Sequence, residues 1–234
     1  MLVQTSKFSV LSVAPQPISP DTIFDTVFDE DLCLEVAADV SLFDRANVTN
    51  VNQLCLTYGE IVSIEPIFCL LQSCLRHNMS TTPFENGVFY DLGGGIGKPT
   101  IAMALCSKNF RSYHSIEIIE GLHQLSLIAL DKFKSLETEN AVISSSANVS
   151  CHHGSFLDLN VIDWTDGDLV FANSTCYNAL LMDEISAIAK NMKPNSFFVS
   201  LSHPLAKWAN FELVDELRCE MSWGEADLYI QRKL

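Results

Sequence analysis

Apolar residues in this chain fall into two kinds of run. Short unbroken stretches, such as Val88-Phe89-Tyr90 and Phe197-Phe198-Val199, have the length and composition of strands buried on both faces. Longer segments between them repeat apolar residues at intervals of three and four, which is helical spacing. Read in order, a strand at 88–92 leads to a helix at 98–108, a strand at 113–118 to a helix at 120–136, and a strand at 149–153 to a short connection. A strand at 168–173 leads to a helix at 178–192, which Lys193-Pro194-Asn195 ends, and a fifth strand covers 196–201. The tail alternates over 212–221 and 226–232 around Trp223-Gly224, as a terminal antiparallel hairpin does. Such alternation builds a mostly parallel sheet with helices on both faces. The expected fold class is therefore α/β, a Rossmann-like sheet of seven strands.

Upstream, Phe24, Val27, Phe28, Leu32 and Val36 recur at threes and fours within Asp21 to Arg45, giving a helical segment with one apolar face, and Ser19-Pro20-Asp21 is its start signal. A further helix is expected over Pro66 to His77, buried against the sheet. Residues 1 to about 20 hold three prolines and no periodicity, the pattern of a flexible lead. The chain thus divides into an N-terminal lead and helical extension, 1–53, and a catalytic domain, 54–234.

Composition narrows the class of function. With 234 residues, 48 % apolar and 18 % charged, the chain reads as globular. No apolar run approaches the length of a membrane span, and the N-terminus makes a poor secretory signal. Eight cysteines never form Cys-x-x-Cys and mostly sit in apolar segments, which points to free thiols in a reducing, intracellular compartment, cytoplasmic or nuclear. Adjacent His152 and His153 should face opposite sides of a strand and cannot share a metal, so no metal site is expected. The net charge is −15, from 29 acidic against 14 basic residues. Nucleic-acid binding draws on cations that this surface lacks, whereas a basic protein partner suits it.

The chemistry begins where strand 88–92 runs into Gly93-Gly94-Gly95-Ile96-Gly97. Glycines let backbone approach a ligand, and the following helix aims unsatisfied N–H groups at the same spot. A P-loop fails, because Leu92 stands where its first glycine belongs and Pro99 where Ser or Thr should follow Lys98. The dinucleotide fingerprint fails too, because Lys98 occupies its third glycine. Preceded by Asp91, the Gly-x-Gly-x-Gly spacing resembles the first motif of the seven-strand S-adenosylmethionine (SAM) methyltransferases, so SAM is the expected cofactor. Glu117 closes the next strand 26 residues after Asp91 (117 minus 91), near the roughly 20-residue offset usual for a ribose-binding acid.

After the fourth strand come Asn173-Ser174-Thr175-Cys176-Tyr177, facing the same crevice by the rule for open α/β sheets. Methyl transfer is an in-line displacement that needs an aligned, unprotonated nucleophile. The Asn173 amide can accept an amine hydrogen, and the face of Tyr177 favours the positive charge that grows on nitrogen. The structural alternative makes Asn173 a helix cap and places Tyr177 in the core. Methyltransferases of bases and glutamines often carry Asn/Asp-Pro-Pro-Tyr/Phe here, and neither proline is present.

Thr57-Tyr58-Gly59-Glu60, the glycine turn, Ile116-Glu117, Gly154-Ser155-Phe156-Leu157 and Phe171-Ala172-Asn173 together resemble the non-SET histone-lysine methyltransferase family called disruptor of telomeric silencing. The resemblance covers about residues 54–205, and Tyr-Gly-Glu is its most specific element. It implies protein-lysine methylation. It also implies cofactor contacts from Tyr58, Glu60, Asp91, Gly93, Gly95, Gly97, Glu117, Ser155, Phe156 and Asn173, with Asn173 and Tyr177 shaping the acceptor site. Ile61 replaces the family's Thr after Tyr-Gly-Glu, and Ser155 replaces an Asp, which moves the expected adenine contact to Ser155 or Asp158. The family's upstream substrate-loop motif is not recognisable in residues 21–53, and its lysine-rich DNA-gripping extension is absent. The rival expectations are methylation of a small-molecule amine or hydroxyl, with residues 21–53 as a lid, and a SAM-binding module without catalysis.

Overall fold

Six residues, Gly87–Leu92, form β1, and all of them are buried. A strand covered on both faces belongs in the interior of a sheet. It pairs in parallel with β2 (Phe110–Glu117) on one side and β4 (Leu169–Ala172) on the other. The computed structural model describes residues 18–49, 52–139 and 148–234, so most of the expected flexible lead lies outside the described residues. With β3 (Asn148–His153), β5 (Phe197–Leu201), β6 (Phe211–Met221) and β7 (Gly224–Lys233), the sheet has seven strands in the order β3-β2-β1-β4-β5-β7-β6. The first five are parallel; β7 inserts antiparallel between β5 and β6.

Alternation along β1 feeds two cores. Val88, Tyr90 and Leu92 join Val170, Phe198, Trp164 and the buried face of α6 (Ala179–Ala189) on one side of the sheet. Phe89 points to the other side, where the core includes residues of α1 (Pro20–Val27), α2 (Leu34–Asp44), α3 (Glu65–His77), α4 (Lys98–Cys106) and α5 (Glu120–Glu139). The helical extension therefore shares one core with the sheet. His152 meets His114, Nε2 to Nδ1 at 3.1 Å, while His153 stacks on His123 with ring centroids 5.3 Å apart, so the adjacent histidines do face opposite ways. No helix among the described residues is long and apolar enough to cross a membrane.

Several boundaries differ from the sequence expectation. In β2 the pairing starts at Phe110 because that residue lies opposite Gly87 at the base of β1. The strand expected at 168–173 keeps only 169–172, since the Asp168 carboxylate turns to accept the Val88 N–H at 2.8 Å. The single apolar face expected across residues 21–45 is broken. Asp29 accepts the Asp31 N–H and caps a short 3-10 turn, Glu30–Leu32, so Phe24, Val27 and Leu32 are buried from separate elements. In α2 the buried positions are Ala37 and Ser41, with Val36 only partly covered.

Phe89 is fully buried, its ring 6.2 Å from that of Phe110 and 6.4 Å from that of Tyr113. Phe89→Ala should cost about 3–5 kcal/mol in urea unfolding. Leu213→Ala, on the half-exposed edge strand β6, should stay within about 0.5 kcal/mol. Equal losses for the two would contradict the layered core described above.

Candidate active site

The carboxyl ends of β1 and β4 lie side by side while their following segments depart in different directions, which opens a crevice there. The crevice is a cleft of about 950 Å³ including its mouth. Its floor is the glycine turn, tied to β2 where the N–H groups of Gly93 and Gly94 donate to the Ile116 carbonyl at 2.9 and 3.1 Å. Gly95 needs to be glycine twice over. Its φ is +55°, and a Cβ there would sit 2.7 Å from the Tyr58 ring that covers the turn.

Glu117, at the end of β2, is the strongest polar feature of the floor. One carboxylate oxygen accepts the Gly95 N–H and the other the Ile119 N–H, both at 2.8 Å. Burial pushes its pKa up, opposed by those same backbone donors. Each oxygen keeps a second lone pair for a ligand hydroxyl. A pre-oriented, partly desolvated acceptor of this kind suits a ribose diol, and repels a phosphate.

Tyr58-Gly59-Glu60 forms the wall opposite. The Tyr58 hydroxyl donates to one Glu60 oxygen, and Lys98 Nζ, at the start of α4, pairs with the other at 2.5 Å. Burial and the nearby Glu60 carboxylate hold the Tyr58 hydroxyl well above its usual pKa, so it remains a donor. The β6–β7 turn pins the loop from outside. The Glu60 N–H donates to Ser222 Oγ at 3.1 Å, the Ser222 N–H returns to the Glu60 carbonyl at 3.0 Å, and Ile61 bridges to Met221. Gly59 lies so close under Trp223 that a Cβ would come within 2.5 Å of the indole.

At the far end, Asn173 Nδ2 donates to the Gly59 carbonyl at 3.0 Å, which joins the β4 strand end to the loop and leaves the amide oxygen to accept. The cap of α6 is Asn178, whose side chain accepts the Leu181 N–H, and not Asn173. Tyr177 is core and wall at once: its hydroxyl donates to the Leu92 carbonyl at 3.1 Å, and its ring lies 5.8 Å from that of Phe156. Phe156 and Ser155 complete the side beyond Glu117.

Nine expected site residues thus converge on one cleft: Tyr58, Glu60, Gly93, Gly95, Glu117, Ser155, Phe156, Asn173 and Tyr177. Three do not. Asp91 is fully buried beneath the turn, accepting from Thr100 Oγ1 at 3.0 Å, so it supports the turn and does not line the cleft. Gly97, at φ +87°, ends the turn as the N-cap of α4. Asp158 faces solvent and accepts from Asn160, which leaves Ser155 as the adenine-side candidate. Lys98, Ser222 and Trp223 were missed. Lys98 stood out only for spoiling a dinucleotide fingerprint, and nothing local in Ser222-Trp223 announces a contact with residues 59 and 60. Among the described residues no three His, Cys, Asp or Glu side chains are grouped to hold a metal ion.

Asp91 should give a measurable pH signature. Burial lifts its pKa from 3.8 to about 7 against the Thr100 hydrogen bond, with Glu117 adding to the rise. Between those values the folded state binds more protons than the unfolded chain, so this group's contribution to stability falls as pH rises through that window. Asp91→Asn removes the slope. Its stability relative to wild type should improve by on the order of 1–3 kcal/mol between pH 5 and pH 8 in urea titrations. A pH-independent difference would show that the carboxyl titrates normally.

Comparison with known proteins agrees with this geometry. Solved structures with the same fold include the rRNA methyltransferase aviRa from Streptomyces viridochromogenes, with TM-score 0.55, 8 % identity, and 88 % of this chain and 96 % of that one covered. Another is precorrin-6y C5,15-methyltransferase from Geobacter metallireducens, with TM-score 0.52, 15 % identity, and coverage of 82 % and 96 %. A third, magnesium protoporphyrin IX methyltransferase from Synechocystis with bound SAM, has TM-score 0.52, 10 % identity, and coverage of 94 % and 100 %. At these identities the likeness shows the fold alone. Comparison with curated proteins returns no match. The model of the family described as histone methylation protein DOT1, however, matches residues 49–222, from before the Tyr-Gly-Glu loop to the hairpin turn that pins it. The glycine cradle and the Glu117 carboxylate fit SAM, and the chain belongs to the DOT1 family of SAM-dependent methyltransferases.

Proposed function

We propose that the chain transfers a methyl group to the side-chain amine of a lysine in a basic protein, with histones the substrate class that the family points to. The observation that carries this reading is the state of the acids in the cleft. Its two lining carboxylates are already engaged, Glu60 by Lys98 and Tyr58, and Glu117 by two backbone N–H groups. The rest of the lining, Cys55, Leu56, Thr57 and Leu181 among it, adds no further carboxylate and no histidine to act as a general base. A hydroxyl acceptor needs one; an amine that has lost its proton to solvent carries its own lone pair.

Bound SAM supplies an electrophilic methyl group on a sulfonium. The chain's part is alignment. Asn173, fixed through Nδ2 to the loop, offers its amide oxygen to an amine hydrogen, while the Tyr177 ring favours the charge that develops on nitrogen. Surface charge supports a cationic partner, since 29 acids face 14 Lys and Arg. A histone-class substrate fits a location in the cytoplasm or nucleus, and the same charge disfavours nucleic acid.

Incubation with methyl-labelled SAM and a mixture of histones and other basic proteins, followed by digestion, should place label on lysine. Label on small molecules alone would remove this reading in favour of a metabolite methyltransferase, and no label would favour a binding module. Asn173→Ala should lower kcat by roughly ten- to a hundredfold as the acceptor loses a partner, while SAM affinity, read by calorimetry, falls by less, since the Gly59 carbonyl gives up one of several contacts that hold the loop. An unchanged rate would move the acceptor site elsewhere.

A further inference from the structure

β3 is the outermost strand on its side of the sheet and pairs with β2. On the face it shares with Tyr90, three polar side chains meet outside the cleft. Ser150 lies opposite His114 in the strand register, and His152 follows two positions later, so both point the same way. His114 Nδ1 is 2.8 Å from Ser150 Oγ and 3.1 Å from His152 Nε2, and Ser150 Oγ is 3.2 Å from that same nitrogen. The three atoms form a nearly equilateral triangle. Hydrogen bonds alone do not fill it. A neutral ring nitrogen either donates or accepts, never both, and the hydroxyl brings a single proton, so at most two sides of the triangle carry a proton of their own. Burial, with His152 beside it, pushes the His114 pKa down to about 4, and burial lowers that of His152 as well. Both rings are therefore neutral near pH 7 and have lone pairs to give.

Bonds of about 2.1 Å from a metal to donors at right angles set those donors about 3.0 Å apart. The three sides straddle that value, which gives the triangle the dimensions of one face of an octahedron. We infer that His114, Ser150 and His152 form a binding site for one divalent transition-metal cation, with water completing its coordination. Imidazole nitrogen suits zinc, nickel and copper, whereas calcium and magnesium take oxygen ligands. The set is two imidazoles and a hydroxyl, distinct from groups of three His, Cys, Asp or Glu, of which the described residues hold none. His152 cannot share a cation with His153, which turns to the opposite face and stacks on His123; its partner comes instead from the neighbouring strand. The surroundings favour positive charge and hold the His114 ring in place. Tyr90 stacks on that ring with centroids 5.0 Å apart, and its hydroxyl donates at 2.7 Å to Asp166, whose carboxylate acts on His114 as a nearby negative charge. A cation held from both strands staples the outer strand to the sheet just ahead of Ser155 and Phe156.

Titration calorimetry of the full chain with nickel chloride at pH 7.5, read beside thermal unfolding, tests the site. Nickel is the probe because zinc is also drawn to free thiols, of which the chain has eight cysteines to offer. Wild type should show a saturable site and a Tm that rises with nickel concentration. His152→Ala and His114→Gln should each weaken binding by about tenfold or more and abolish the rise in Tm. Ser150→Ala, which keeps both imidazoles, should weaken it by less. His153→Ala is the control: it removes the adjacent ring that faces the other way, and should leave the affinity within about twofold. Equal losses in His152→Ala and His153→Ala would overturn the inference, as would loss in neither. Wild type with no saturable site tighter than about 1 mM would overturn it too, leaving the triangle a hydrogen-bonded contact between strands.

Discussion

A strand buried on both faces offers a ligand nothing but its end. β1 is covered along its whole length, by α6 and Trp164 on one side and by the larger helical core on the other, so its only reachable backbone is the turn at its carboxyl end. From that constraint the rest follows. The turn must be glycine-rich to let a ligand close to the backbone. The neighbouring strand must end in a group that holds the turn open, which Glu117 does by accepting from Gly95. Whatever closes the cleft from above must come from a segment outside the parallel sheet, because the sheet has no more surface to give.

That segment is Tyr58-Gly59-Glu60, and its fixing is spread over the chain. Lys98 holds it from α4, Asn173 from β4, and Ser222 and Trp223 from the terminal hairpin. Each contact is modest by itself. Together they set the position of a loop that has no regular secondary structure to define it, and so they set the width of the cleft. Two buried carboxylates, Asp91 and Glu117, lie close below. Both have pKa values raised by burial, an energetic cost accepted at a site whose ligand is a cation.

The centre of the sheet was legible because β1, β4 and β5 are unbroken runs of buried residues, a signal carried by four to six neighbours in sequence. The same is true of the glycine turn and of Glu117, whose roles follow from position at strand ends. Helix boundaries in the extension were not, because the spacing of Phe24, Val27, Phe28 and Leu32 is continuous whereas the backbone is interrupted by the Asp29 cap. Lys98 and Trp223 stayed hidden for a different reason. Their partners lie 38 positions away for Lys98–Glu60 and 162 for the Ser222–Glu60 pair beside Trp223. Spacing rules describe neighbours, and neither contact is between neighbours. Asp91 shows the converse: the motif marks it as a site residue, while its strand position turns it inward, under Gly94, where it supports the turn from below.

The clasp between the loop and the hairpin also fixes an order of events during synthesis. A ribosome delivers the loop, the glycine turn and all five parallel strands well before it delivers residues 221–224, and domains assemble as their segments emerge. Until the hairpin turn arrives, Gly59 and Glu60 have no Trp223 or Ser222 to rest on. The nascent chain can therefore own a finished floor under a roof held only from α4 and β4, by Lys98 and Asn173. Closing so long a span carries an entropic cost that local strand pairing avoids, which makes seating of the loop a late step of maturation.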